Sequence, residues 1–175
     1  MDYDALILAI ARGEMHALER LYSDLYSSVF ACTLSVVKST ACAADLAQET
    51  FVRLYYGAPE YQPRGQGRAW ILRIARNLAL NHLRSHKREI LTEISCEIRD
   101  GDDPYGRSEA ILTLRSLFSV LSTSEREIVM LRAQGYAHKE IAEIVNLPEG
   151  TVRWKYAAAI KKLGSQAEAE MTWTL

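Results

Sequence analysis

One stretch of this sequence combines basic and amide side chains without a single carboxylate, which suits it to a polyanionic partner. Between Arg64 and Arg88 there are seven arginines and lysines and no aspartate or glutamate. Wound as a helix at about 100° per residue, residues 70–88 place one polar stripe within an arc of about 80°. The stripe consists of Arg73, Asn77, Asn81, Arg84 and Arg88, with Trp70 beside them. Guanidinium groups neutralise phosphates, amides read base edges and an indole stacks on a base, so the stripe predicts binding of single-stranded nucleic acid.

Two plainer interpretations of these residues stay open at this stage. A run of like charge is often only a solvated helix face. Trp70 could equally fill the junction between the helix and the loop before it. That loop, residues 57–67, contains two prolines and three glycines, which break a helical pattern.

A second nucleic-acid surface is expected near the C-terminus, where His138–Tyr156 has the spacing of a helix-turn-helix. Ala142 is small where two helices would cross. Asn146 stands at the turn, where a left-handed backbone favours Gly and then Asn, and Pro148 suits a helix start. The first turns of the second helix, which would enter a major groove, carry the candidate contacts. These are Thr151, Arg153, Trp154 and Lys155, with Lys139 approaching the DNA backbone. A plain helical hairpin is the alternative.

Both surfaces need helices to position them, and the sequence predicts an all-α protein. Pro is rare outside the loop, and Ala, Leu, Glu and Arg dominate. Asp2 is the expected cap of the first helix, and Ser122 or Ser124 that of a later one. The predicted helices span 3–12, 14–38, 41–56, 67–88, 107–121, 124–134, 138–146 and 149–169.

Charge divides the 175 residues into two helical domains and a linker. Residues 1–88 carry 11 basic and 8 acidic side chains, residues 89–109 carry 2 and 7, and residues 110–175 carry 8 and 7. The acidic stretch includes Asp100-Gly-Asp-Asp-Pro104, which is typical of a flexible connection. We therefore expect domains at 1–88 and 107–175 joined by a linker at 89–106.

The composition also excludes several classes of protein. No apolar run reaches the roughly 18 residues of a membrane span, and the N-terminus does not resemble a signal peptide. The three cysteines and four histidines lack metal-ligand spacing, so we expect no metal, no cofactor and reduced thiols. A phosphate-binding glycine loop and a nucleophile–base pair are missing too, which argues against an enzyme.

Three motifs in order resemble the extracytoplasmic-function (group IV) sigma factors of bacterial RNA polymerase, over about residues 14–163. Ala44-Asp-Leu-Ala-Gln-Glu-Thr-Phe-Val-Arg-Leu54 is similar to the polymerase-binding helix of that family. The segment Arg68–Arg84 is similar to the helix that reads the −10 promoter element. The segment Leu121–Leu163, with Pro-Glu-Gly-Thr-Val152, is similar to the domain that reads the −35 element.

The resemblance implies a function, partners and further site residues. The chain would bind core RNA polymerase, recognise promoter DNA and help to open it, in the cytoplasm and without covalent chemistry of its own. An anti-sigma factor is an expected partner. The contacts with the clamp helices of the largest polymerase subunit would come from Asp45, Gln48, Glu49 and Phe51. The loop Tyr61–Arg68, with Tyr61, Arg64 and Arg68, would hold a flipped base of the non-template strand near Asn77 and Asn81.

Two alternatives accompany this interpretation. Asp45, Gln48 and Glu49 could form an ordinary solvated helix face. The whole chain could also be a stand-alone helix-turn-helix regulator, which would bind duplex DNA as a dimer without polymerase. In that case the basic helix with Trp70 would have no evident role.

Overall fold

A computed structural model describes the backbone of residues 1–92 and 119–172 and the side chains of residues 1–85 and 119–166. Within these ranges every regular element is helical, which confirms the predicted all-α class. The first group is α1 (Tyr3–Ala11), α2 (Met15–Val37), α3 (Thr40–Gly57), a 3₁₀ turn (Ala58–Glu60) and α4 (Gly67–Thr92). The second group is α5 (Thr123–Ala133), α6 (His138–Val145) and α7 (Glu149–Thr172). The linker predicted at 89–106 and the helix predicted at 107–121 lie mostly outside the described residues.

Local capping explains where several helices begin. The Asp2 side chain accepts a hydrogen bond from the amide of Ala5 at 3.0 Å, so it caps α1 as predicted. Ser122, rather than Ser124, caps α5, and Glu125 completes a reciprocal capping box with it. Asn146 ends α6 with φ 54° and ψ 53°, the left-handed conformation expected of the turn residue.

The first unit is built around α2, which packs against α1, α3 and α4. Its inward face is apolar at helical spacing, with Leu21, Leu25 and Val29 almost completely buried. Leu54 of α3 and Ile71 of α4 close the core from the other side. This packing fixes the two helices that carry the predicted polymerase-binding and −10 residues.

The second unit is a compact helix-turn-helix. Ile128 of α5, Ile141 and Ile144 of α6, and Val152 of α7 form its core. His138 meets Tyr156 edge to face, with ring centroids 5.4 Å apart. The predicted motif is therefore confirmed in its helices, turn and shared core.

The two units also pack against each other, which the sequence did not predict. Helix α5 lies on α2, and α6 lies on α4, so the buried residues of both units form one continuous cluster. Tyr136, only 1 % exposed, lies at this contact beneath the guanidinium of Arg68. The described chain is thus a closed arrangement of two helical groups.

A carboxylate at the start of α5 makes the stability of the second unit depend on pH. Burial alone would raise the pKa of Glu125, but hydrogen bonds from Lys162 and Ser122 outweigh it and lower the pKa from 4.5 to about 2. The folded state therefore gains stability from this group above about pH 4.5 and loses it as the pH falls towards 2. We expect Glu125→Gln to be less stable than the wild type at pH 7, with the difference shrinking below pH 4.5.

Urea unfolding at several pH values between 7 and 3 measures this difference. Glu60→Gln, a change at an exposed side chain of the other unit, serves as the control and should leave the unfolding midpoint nearly unchanged. A Glu125→Gln deficit that stayed constant down to pH 3 would contradict the assigned hydrogen bonds.

Candidate functional site

The polar stripe predicted on the basic helix is present on the surface of α4. Asn77, Asn81 and Arg84 are exposed on successive turns, and Arg73 is half-buried beside them. The side chain of Arg88 lies outside the described side chains. The stripe presents amide groups with guanidinium groups on either side, so it can offer hydrogen bonds to base edges and charge to phosphates.

Trp70 connects this stripe to the loop before it. The indole is half-buried, and its ring centroid lies 4.7 Å from that of Tyr61, with the planes inclined at 49°. It also borders Gly57, where an added Cβ would lie 3.7 Å from the indole. Trp70 thus fills the loop junction, as one interpretation held, and is still accessible in part. Arg64 is exposed at the loop tip, where it donates to Gln62 Oε1 at 2.9 Å.

Arg68, which the resemblance places in the loop that would hold a flipped base, faces away from the stripe. Nine residues separate it from Asn77, so the two side chains leave the helix on opposite sides. Its guanidinium carbon lies 3.7 Å from the ring centroid of Tyr136, a cation–π contact with the second unit. In this arrangement the Arg68 guanidinium contacts the second unit, and its role in binding DNA stays a prediction.

Three further polar contacts join the units, and none of them was predicted from the sequence. Arg76 Nε donates to Glu127 Oε1 at 2.9 Å, and the Glu127 side chain is only 2 % exposed. Burial raises the pKa of Glu127, and the neighbouring Arg76 opposes that shift. Arg126 donates from Nε to the carbonyl oxygen of Ser35 at 3.0 Å. Ser28 Oγ donates to Gln134 Oε1 at 3.1 Å.

The predicted polymerase-binding residues occupy the outer part of α3, with one exception. Asp45 and Gln48 are exposed, and Glu49 accepts a hydrogen bond from Arg53 Nε at 2.6 Å. Phe51 is only 5 % exposed, because its ring packs against Tyr22 at a centroid distance of 4.8 Å. The Phe51 ring thus lies at the floor of a surface groove, and its direct contact with polymerase stays a prediction.

An apolar groove of about 620 Å³ between α2 and α3 adjoins those residues. Gln48 and Phe51 belong to its lining. The lining side chains that are also substantially exposed are Met15, Tyr22, Val52, Tyr55 and Tyr56. The spacing of Val52, Tyr55 and Tyr56 along α3 was the available sequence signal, because three apolar side chains on one outer face of a helix indicate a contact surface.

On the second unit, the predicted recognition helix presents two large side chains outward. Trp154 is 68 % exposed, and Arg153 is exposed and paired with Glu149 at 2.6 Å. Thr151 is half-buried. Lys155 is directed towards α5, where its Nζ donates to Ser124 Oγ at 3.1 Å. Lys139 is exposed at the start of α6, and its approach to the DNA backbone stays a prediction.

The part of the chain that the structure describes contains neither a metal-binding cluster nor a membrane-spanning helix. No group of three or more His, Cys, Asp or Glu side chains there could hold a metal ion. No helix there is long and apolar enough to cross a membrane.

Comparisons with known protein families match both units. Residues 21–89 match the family model of sigma-70 region 2, and residues 111–163 match that of sigma-70 region 4. The chain is 31 % identical over 172 residues to the ECF RNA polymerase sigma factor SigC of Mycobacterium tuberculosis, covering 95 % of this chain and 91 % of that protein.

Two solved structures share the fold at 20 % sequence identity. One is that of CnrH in complex with the cytosolic domain of CnrY, with a TM-score of 0.73 over 97 % of this chain and 99 % of that one. The other is the sigma factor RpoE in complex with the anti-sigma factor NepR from Bartonella quintana, with a TM-score of 0.70 over 86 % of this chain and 96 % of that one.

Proposed function

Because the chain belongs to the extracytoplasmic-function sigma factors of the sigma-70 family, we propose that its three exposed surfaces divide the work of promoter recognition. The outer face of α3 binds core RNA polymerase through Asp45, Gln48 and Glu49. The α4 stripe and its loop capture the −10 element, and α7 reads the −35 element. The main support for this proposal is that one chain exposes both an amide-rich helix face and a helix-turn-helix.

The polymerase contact combines charge with apolar area. Asp45 and Gln48 are exposed beside the groove that contains Tyr55 and Tyr56. Polar groups at the rim fix orientation, and desolvated aromatic rings supply binding energy. This division suits the clamp helices of the largest polymerase subunit, which would lie along α3.

Single-strand capture is the function that the α4 surface suits best. Asn77 and Asn81 can bond to the Watson–Crick edges of bases only when the strand is unpaired, because those edges are occupied by the partner strand in a duplex. Trp70 and Tyr61, whose rings already meet, supply a stacking surface beside the loop. Binding to the melted strand then stabilises the open promoter, while bond formation belongs to polymerase.

The −35 contact follows from the exposed start of α7. Arg153 can give two parallel hydrogen bonds to a guanine edge or to a phosphate, and Trp154 adds a large exposed face. Arg153 must leave Glu149 to do so. Since that pair is solvent-exposed, its loss costs about 1 kcal/mol or less.

In this proposal the two units, predicted at 1–88 and 107–175, separate during promoter binding. Elements near −10 and −35 lie about 25 base pairs apart, which is roughly 80 Å of duplex. The contact between α4 and α6 places the two units side by side, so one closed chain cannot reach both elements. Polymerase would hold the units apart, with residues 89–106 spanning the gap.

An anti-sigma factor is part of this proposal. The two similar structures are described as complexes, one with the cytosolic domain of CnrY and one with an anti-sigma factor. A comparable partner for this chain would act in the cytoplasm, cover the α3 groove and the α4 stripe, and favour the closed arrangement. Its release would free both surfaces for polymerase and DNA.

Transcription from a fragmented genomic library, with purified core polymerase and this protein, tests the proposal directly. We expect transcripts that start at a limited set of sites and share two elements with constant spacing. Core polymerase alone is the control. A chain that binds duplex DNA as a dimer but starts no transcripts would instead be a stand-alone regulator.

Asn77→Ala is expected to impair promoter opening about tenfold or more, since it removes a bidentate base contact worth about 1–3 kcal/mol. Permanganate reactivity of thymines near the start site measures opening, and co-purification measures polymerase binding, which should not change. Ser85→Ala, at an exposed position farther along α4, is the matched control. Loss of polymerase binding by Asn77→Ala would contradict the assigned role.

A further inference from the structure

One carboxylate of the N-terminal helix holds the loop that precedes α4. Asp4 Oδ1 accepts hydrogen bonds from the amide of Gly67 at 2.7 Å and from the hydroxyl of Tyr61 at 2.9 Å. Its Oδ2 accepts from the amide of Gly65 at 2.7 Å. A single side chain in α1 thus binds three points of a loop about sixty residues away in the sequence.

The protonation state of Asp4 matches this role. Burial alone would raise the pKa of Asp4, but the amide of Gly65, the hydroxyl of Tyr61 and the amide of Gly67 outweigh it, so the pKa is lowered. The group is therefore a carboxylate at neutral pH, and each of its bonds is charge-assisted. Such bonds are shorter and stronger than those between neutral groups.

The approach of α1 to the loop is also sterically close. A Cβ added to Gly67 would lie 2.7 Å from Asp4 Oδ1 and 2.9 Å from the carbonyl carbon of Tyr3. Only glycine therefore fits at this position. Residues 1–20 lie before the stretch that matches sigma-70 region 2, so the bonds of Asp4 connect that stretch to a helix that precedes it.

We propose that Asp4 is a positioning residue for base capture: by fixing the loop from Tyr61 to Gly67 it holds the Tyr61–Trp70 pair open to a flipped base of the −10 strand. This inference rests on the proposed function. The loop contains Pro63 and two glycines, and a free loop of this composition samples many conformations that must be abandoned when a base binds. If Asp4 already fixes the loop before the base binds, the loss of loop entropy no longer weakens binding.

The test uses the complex of this protein with core RNA polymerase. It separates the affinity that comes from the flipped base from the affinity that comes from the rest of the strand. The probes are non-template-strand oligonucleotides of a promoter found by the transcription experiment, intact or with one abasic site. The abasic site is placed at the nucleotide whose base, when removed, weakens binding to the wild type most. We expect Asp4→Asn to bind the intact oligonucleotide about tenfold more weakly, because an amide reproduces neither the charge nor all three acceptor contacts. Binding of the abasic oligonucleotide should stay within about twofold of wild type.

Asp24→Asn is the matched control. Asp24 also joins α1 to the rest of the unit, since it accepts a hydrogen bond from the Tyr3 hydroxyl at 2.6 Å, but it does not bond to the loop. This variant makes the same chemical change at another contact of α1, on the α2 side of that contact, and it should bind both oligonucleotides as the wild type does.

The outcomes distinguish two roles of Asp4, which are positioning of the loop for base capture and general support of the fold. Equal weakening of intact and abasic binding by Asp4→Asn would show a general structural role and overturn the proposal, as would no weakening at all. Should Asp4→Asn fail to fold by circular dichroism, Tyr61→Phe decides, because it removes one bond to Asp4 and keeps the ring; it should weaken only intact binding. Failure of the proposed function is separate, since wild-type protein would then start no transcripts.

Discussion

Replacing Arg76 by alanine is expected to weaken the contact between the two units by about 3 kcal/mol or more, because it leaves the buried carboxylate of Glu127 without its partner. If the two units separate, the Glu127 carboxylate is solvated by water and the cost disappears. We therefore expect a larger radius of gyration in small-angle X-ray scattering. Burial raises the pKa of Glu127, and a raised carboxyl pKa in the closed form means that this form gains stability as the pH falls. The variant should therefore close again under mildly acidic conditions.

Two further variants make this prediction specific. Arg12→Ala removes an ion pair whose members are more than half exposed, at 63 % and 55 %, and it should cost at most about 1 kcal/mol with no change in size. Arg76→Ala combined with Glu127→Leu removes both charges from the buried site and should recover much of the closed form. Arg76→Ala protein with the size and urea midpoint of the wild type would contradict the assigned contact.

Gly67→Ala is expected to lower the free energy of unfolding of the first unit by about 1–3 kcal/mol, the usual cost of adding a carbon to a filled site. The new Cβ would meet the backbone of Tyr3 at 2.9 Å, so α1 must move away from the loop. Urea unfolding measures the loss of stability, and amide hydrogen exchange at Gly65 measures the loosening of its bond to Asp4.

Gly164→Ala is the control for that substitution. Gly164 lies within α7 with no neighbouring atom inside 4 Å of an added Cβ. Alanine there should be neutral or stabilising by up to about 1 kcal/mol, because it favours the helix. Equal changes in the free energy of unfolding for the two substitutions would show that α1 moves away without cost. The close approach at Gly67 would then contribute nothing to stability.

Local features of the fold could be predicted from the sequence because nearby residues determine them. Asp2, Ser122 and Asn146 act as the caps and the turn residue that their types indicate. Helix α4 runs to Thr92, four residues beyond its predicted end at 88, since no Gly or Pro stands between them to stop it.

The contact between the units could not be predicted, because it depends on pairs far apart in the sequence. Ser28 and Gln134 are 106 residues apart, and Arg76 and Glu127 are 51 apart. Helical periodicity shows that Arg68 and Arg76 leave the polar stripe, but it cannot show which surface they meet. The run of seven basic residues is therefore divided, with Arg73 and Arg84 at the stripe and Arg68 and Arg76 at the contact.

Phe51 shows a second limit of prediction from sequence, which arises when a residue's role is assigned from a resemblance to a family. The resemblance placed it among the polymerase contacts together with Asp45 and Gln48. Helical spacing alone separates it from Asp45 by about 120°, and the structure buries it against Tyr22. The exposed apolar contacts beside it, Tyr55 and Tyr56, are the better candidates for that surface.

The distance between the two units, free and at a promoter, tests the account most directly. Spin labels attached through non-canonical amino acids at the exposed positions 41 of α3 and 161 of α7 report it by pulsed electron resonance. We expect one short distance in the free chain and a distance longer by tens of ångströms in the transcribing complex with core polymerase and promoter DNA. An active complex that kept the short distance would contradict the claim that polymerase separates the units to read two elements.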